Sequence, residues 1–257
     1  MKDYTLKYGK GSVTFALDEA HVTELYGTPV PKIDDIRAAL YATLSSPVSH
    51  EPLESWVNPE DKVALIVSDM SRFWMRQDLV VPHIISYLTD KCDVNQNNIT
   101  IIIANGTHPG GDENELRTLV TDGVYDRIRV VNHDCQAKDL VYIGTTSLGT
   151  EVRINPIAAN ADKVIMLGAC TYHVMAGYGG GRKSILPGIS GLETIRQNHL
   201  HSLDLLAPRS NPLIGNGVID GNPLNEDMCQ AAAMVKNLFG INLVTNADMQ
   251  LAHIISG

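Results

Sequence analysis

Four short segments of this chain carry most of the side chains that could do chemistry. Ser68-Asp69-Met70-Ser71-Arg72, Asn105-Gly106-Thr107-His108-Pro109 and Asn132-His133-Asp134 each follow a short apolar run. A longer polar, glycine-rich stretch from Thr171 to Ser184 follows a fourth. His108 and His173 can move a proton near neutral pH, and two histidines on opposite sides of a substrate could serve both faces of one carbon. The Arg72 fork suits a carboxylate, or equally a surface salt bridge. Asp69 could orient a ribose hydroxyl or Arg72, or cap the turn that follows it. His133 has no motif around it. His199 and His201 are two apart near a helix end and so do not share a face. His199 is then a single metal ligand or, on spacing alone the better reading, a charge partner of the helix C-terminus.

The run Gly177-Tyr178-Gly179-Gly180-Gly181-Arg182-Lys183-Ser184 nearly fits a P-loop. Arg182 stands where the second glycine is required, and Pro187 falls where the following helix should run, which disfavours ATP or GTP hydrolysis. A plain surface turn is one alternative. A backbone N–H nest for a phosphate, with Arg182 and Lys183 adding charge, accords better with the pattern.

These segments need a scaffold, and the rest of the chain supplies one. Val63–Val67, Ile99–Ala104, Ile128–Val131, Val164–Leu167 and Ile241–Val244 read as short strands, the first two as buried ones. Between or before them, helices are expected over Ile33–Leu44, Leu79–Leu88, Glu113–Val120 behind an Asp112 cap, Ser190–Leu200, and Pro223–Asn237 with proline in its opening turn. Tyr4 to Asp18 alternates around Gly9-Lys10-Gly11, a hairpin pattern. The expected fold class is α/β, a Rossmann-like three-layer domain with a largely parallel sheet and an N-terminal β-hairpin. Ligands of such sheets sit beyond the carboxyl ends of the strands, where the four segments lie.

Composition narrows the function classes. The 257 residues are 44% hydrophobic and 19% charged, which are globular values. The net charge of −9 argues against a nucleic-acid partner, while leaving room for a small anion in a local basic pocket. No stretch approaches a membrane span, and the first residues lack the apolar run of a secretory signal. The four cysteines form no C-x-x-C and read as free thiols, so a cytoplasmic location is expected.

Taken in order, the segments resemble the N-terminal part of the nickel-dependent lactate racemase family (LarA-type 2-hydroxyacid racemases and epimerases). The likeness rests on Asp69-Met70-Ser71-Arg72, Gly106-Thr107-His108-Pro109, the long run from His173 to Gly188, Asn198-His199 and Gly221-Asn222-Pro223. Residues 1–257 then read as that family's N-terminal catalytic domain. The resemblance implies a nickel-pincer nucleotide tethered to Lys183, with cofactor contacts at Asp69, Ser71, Gly179, Gly180, Gly181 and Arg182. It implies nickel ligation by His199, acid/base work by His108 and His173, and a substrate carboxylate on Arg72. It further implies proton-coupled hydride transfer from C2 of a small 2-hydroxyacid, and dependence on cofactor-biosynthesis proteins. Phe73-Trp74-Met75 stands where the family usually continues with proline, which is expected to reshape the substrate pocket. The family also continues into a second domain beyond the point where this sequence stops. A truncated, non-catalytic nucleotide- or nickel-cofactor-binding domain is therefore the alternative. A C-terminal domain supplied in trans is the partner that would distinguish the two. Alone, the cleft is expected to be open to water and weakly active.

Overall fold

Alternating apolar runs bury both faces of a sheet only if each face is covered, and that is what the computed structural model shows. It describes every residue except Lys10 and Tyr26, so the middle of the expected Gly9-Lys10-Gly11 turn lies outside the described residues. Residues 1–30 and 31–257 form two units. In the first, β1 (Lys2–Tyr8) pairs antiparallel with β2 (Gly11–Leu17), with Tyr4 opposite Phe15 and their rings stacked.

The second unit is built on six strands. In chain order they are β3 (Val63–Ser68), β4 (Ile99–Ala104), β5 (Arg129–Asn132), β8 (Lys163–Ala169), β11 (Leu238–Thr245) and β12 (Leu251–Ser256). Their order across the sheet is β12-β11-β8-β3-β4-β5, all parallel except β12, which runs antiparallel to β11. Residues alternate between two cores. Leu65, Val67, Ile101, Ile103, Leu167 and Ile241 pack on one face with α1 (Ile36–Ser45), α2 (Leu53–Trp56), α3 (Val81–Asp90), α4 (Glu113–Val120) and α5 (Asp122–Tyr125). Ala64, Ile66, Ile102, Val164 and Met166 pack on the other with α6 (Pro156–Ala159), α7 (Leu192–Leu200) and α8 (Pro223–Ala233). A run such as Val63–Val67 is continuous rather than alternating because both of its faces are buried.

The expected elements are present with adjusted ends. α1 starts at Ile36, not Ile33, because Asp35 caps it by accepting the Ala38 N–H at 2.9 Å. The Asp112 cap of α4 is a full capping box with Glu115. α7 starts at Leu192 because Ser190 is bridged to Ile154 as in a strand. α8 ends at Ala233, four residues before the expected Asn237. Two features were not expected. Residues 251–256, read only as a chain ending, form the antiparallel edge strand β12. A hairpin of β6 (Val141–Thr145) and β7 (Glu151–Ile154) covers part of the second face. No helix among the described residues is long and apolar enough to cross a membrane.

Candidate active site

The carboxyl ends of β3, β4 and β8 open into one cleft of about 470 Å³, within the range of small-ligand sites. Asp69, Ser71 and Arg72 reach it from β3, His108 from β4, and His173, Gly179, Gly180 and Lys183 from beyond β8. His199 enters from α7. Gly181 and Arg182 do not line it.

The β3 turn is held by a residue with no sequence signature. Buried Gln77 accepts the Ser68 N–H at 3.1 Å and donates to the Ser68 carbonyl at 2.8 Å. This fixes the strand end from which Asp69 projects. Asp69 neither caps the turn nor pairs with Arg72. One of its oxygens accepts from Ser71 Oγ at 2.6 Å, and the other lies 2.5 Å from His108 Nδ1. A carboxylate accepts only, so Nδ1 of His108 carries a proton, and in the neutral ring Nε2 is the free acceptor. The Asp69 side chain is 12% exposed and that of His108 53%, so the pair has a buried anchor and an accessible base. Arg72 makes no salt bridge among the described residues. Its guanidinium is exposed, with only Ser71 within reach at 3.5 Å.

His173 is oriented oppositely. Its Nδ1 accepts the N–H groups of Met175 and Ala176 at 3.2 and 3.1 Å. A neutral imidazole accepting at Nδ1 carries its proton on Nε2. Nε2 lies 3.1 Å from Lys183 Nζ, a hydrogen bond only when Lys183 is the neutral amine, since an ammonium cannot accept. Both groups are lowered by their surroundings. Burial, then Arg182 and Arg72, lower Lys183 to about 8. Burial first, then Lys183, Arg72, Arg182 and His199, lower His173 to about 4. Burial also lowers His199, helped by Lys183 and opposed by the bond to the Ile195 carbonyl. That bond, from His199 Nδ1 at 2.9 Å, leaves the Nε2 lone pair free.

The glycine run works differently from an N–H nest. The Gly179 N–H donates to the Thr171 carbonyl at 2.8 Å and that of Gly181 to Asn242 Oδ1 at 2.9 Å. Arg182 turns inward and donates to the carbonyls of Ala176 and Tyr178 at 2.8 and 3.1 Å. Its charge therefore staples the loop that carries His173. The segment forms a single 3-10 turn over Gly181–Ser184 and no P-loop helix. Close approach explains the glycines. At Gly180, with φ +77°, a Cβ would sit 2.4 Å from Asn242 Oδ1 and 3.0 Å from the Ala169 carbonyl oxygen. Gly180→Ala is expected to destabilise the chain by about 1–3 kcal/mol, read by urea denaturation.

His133 and His201 stand outside the cleft. His133 is buried and bonded through Nε2 to the Ser190 carbonyl at 2.9 Å, and burial lowers its pKa. His201 lies beyond the end of α7, outside the cleft lining. Asn242 has no sequence signal because it reaches Gly181 across 61 positions, and Gln77 none because it closes on Ser68 through a turn that carries no motif.

Fold and site together define an α/β domain with a basic, histidine-bearing cleft at the strand carboxyl ends. The lactate racemase N-terminal domain family model matches residues 8–209, and the chain belongs to that family. It is 26% identical to a lactate racemase of Thermoanaerobacterium thermosaccharolyticum over 100% of this chain and 59% of that protein. It is 27% identical to one of Lactiplantibacillus plantarum over 98% and 58%. The structure of the T. thermosaccharolyticum lactate racemase apoprotein superposes with a TM-score of 0.86 at 25% identity, again over 100% and 59%. A Thermotoga maritima protein shares the fold with a TM-score of 0.64 at 19% identity, over 86% and 53%. The chain thus spans a little under three fifths of the curated relatives it matches.

Proposed function

We propose that this chain is the cofactor-carrying part of a cytoplasmic 2-hydroxyacid racemase or epimerase acting on lactate or a related hydroxyacid. The observation that carries this reading is the Lys183 amine 3.1 Å from His173 Nε2, in one cleft with the Asp69–His108 pair. A neutral, partly desolvated lysine is the form that attacks an acyl or thioacyl carbon, as tethering requires.

A lysine-tethered nickel-pincer nucleotide fits the donors present. Among the described residues no three His, Cys, Asp or Glu side chains group as a metal site, so a metal here must bring most of its own ligands. His199, with Nε2 free, supplies one more. When bound, such a group supplies the acceptor for hydride leaving C2 of the substrate. The protein's part is positional and protic. Arg72, exposed and unpaired, takes the carboxylate. His108 removes the hydroxyl proton through its Nε2 as hydride leaves C2, which yields a 2-ketoacid; His173 serves the opposite face once its proton sits on Nδ1, which requires the Met175 and Ala176 N–H groups to turn away. The other histidine returns a proton to the oxygen when hydride comes back to the opposite face. Trp74, Met75, Val174 and Met228 line the cleft beside the cations, matching a substrate with one anionic and one apolar end.

The test is intact mass and nickel content of protein co-produced with the cofactor-making proteins. A mass increase mapped to Lys183 with stoichiometric nickel is expected. An unmodified, nickel-free chain, with or without the family's C-terminal domain supplied in trans, would overturn the reading in favour of a non-catalytic binding domain.

A further inference from the structure

Asp227, on α8, is fully buried and does not line the cleft. One carboxylate oxygen accepts from Thr146 Oγ1 at 2.5 Å. The other accepts from Thr150 Oγ1 and from Asn198 Nδ2, both at 2.8 Å. Thr146 and Thr150 bound the turn between β6 and β7, and Asn198 is on α7 beside His199. A buried carboxylate is tolerated only with such donors, so one side chain ties three elements that are distant in sequence. Asn198 Nδ2 also reaches the Leu224 carbonyl at 3.2 Å, in the first turn of the same helix.

We propose that Asp227 is the positioning residue for His199. Successive helix positions are about 100° apart. Clamping Asn198 inward against α8 therefore sets the rotation at which His199 enters the cleft. The bond from its Nδ1 to the Ile195 carbonyl lies within α7 and sets the ring's tautomer, while the clamp sets where in the cleft that ring stands. The same helix reaches the other histidine. Its N-cap Asn222 donates to the Met175 carbonyl at 2.8 Å, within the loop that follows His173. α8 is thus a strut between the two histidine-bearing segments, and Asp227 is its link to α7. The inference rests on the proposed reading of His199 as a metal ligand.

Asp227→Ala risks misfolding, so the decisive variant is Asn198→Ala, which cuts the link to α7 with a strong helix former. Thr150→Val is the control, since it removes another partner of Asp227 and leaves Asn198 in place. The first readout is the long-range ¹⁵N–¹H spectrum of the His199 ring in the folded chain, with melting temperature recorded for each variant. Asn198→Ala is expected to move the His199 ring shifts as the ring changes its place beside Lys183 and Met228, with the Nδ1–H tautomer kept by the bond inside α7, while Thr150→Val leaves them in place. The second is nickel release to a chelator from loaded protein, expected to be at least tenfold faster in Asn198→Ala than in Thr150→Val. An unchanged His199 spectrum in Asn198→Ala overturns the proposal, as does an equal change in Thr150→Val. If the spectrum moves but neither Asn198→Ala nor His199→Ala alters nickel release, the ligand assignment fails while the positioning role stands.

Discussion

Lys183→Met is expected to abolish both the covalent mass increase and all cofactor-dependent racemisation, and to return His173 towards ordinary histidine behaviour. Methionine keeps the length and apolar character of the lysine stem, so the fold should survive. It removes the amine beside His173 Nε2 and the charge that is the second cause of its low pKa. Burial, the first cause, persists. The midpoint followed by ring NMR should therefore rise from about 4 and stop short of 6.5. The sign carries into stability. Between 6.5 and about 4 the unfolded chain binds a proton at this histidine that the folded chain refuses, so stability falls as pH drops through that window. Lys183→Met should make that fall shallower. A midpoint that stays near 4 would mean that the lysine charge does not reach His173, and normal turnover would remove Lys183 from the chemistry. In the unmodified protein, the rate of amine acylation at Lys183 should titrate with a midpoint near 8.

The second large effect is expected at the two bases. His108→Gln or His173→Gln in the whole enzyme should each lower kcat about 10²–10⁴-fold, the usual contribution of a positioned proton acceptor. Enantiomers have equal free energy, so kcat/KM must fall by the same factor in both directions for a given variant. The variants should differ in the half-reaction they retain. One frees 2-ketoacid to a carbonyl trap only from the D-substrate, the other only from the L-substrate. Trapping from the same enantiomer in both would rule out a base on each face. Asp69→Asn should act through His108 and Ser71 and not through His173, because Asp69 bonds the first two and makes no contact with the third. It is expected to lower kcat while leaving the His173 titration unchanged.

The two proposed bases share a residue type and little else. His108 is accessible and rests on a carboxylate, so its conjugate cation has a partner. His173 is held by two backbone N–H groups and surrounded by cations, so its cation is opposed. Joining Lys183 to an acyl or thioacyl group removes one of those cations, and a loaded site should carry a less depressed His173 than an empty one.

Much of this protein was legible in its residues alone. Continuous runs such as Ile99–Ala104 announce doubly buried strands, and Asp112 announces a helix start, because burial and capping are settled within a few residues. Local order also placed Asp69, Arg72, His108, His173 and Lys183 at strand ends, where a parallel sheet gathers its ligands. The tertiary structure decided what passes between segments. It paired Asp69 with His108 across 39 positions, turned Arg182 from a site cation into a staple, and spent two glycine N–H groups inside the protein. It also made an edge strand of residues 251–256 and buried Asp227 beneath α7. The physical reason is range. Helix caps and strand patterns are fixed by neighbours in sequence, whereas the tautomer of His108 and the lowered pKa of Lys183 depend on which distant groups the fold sets around them.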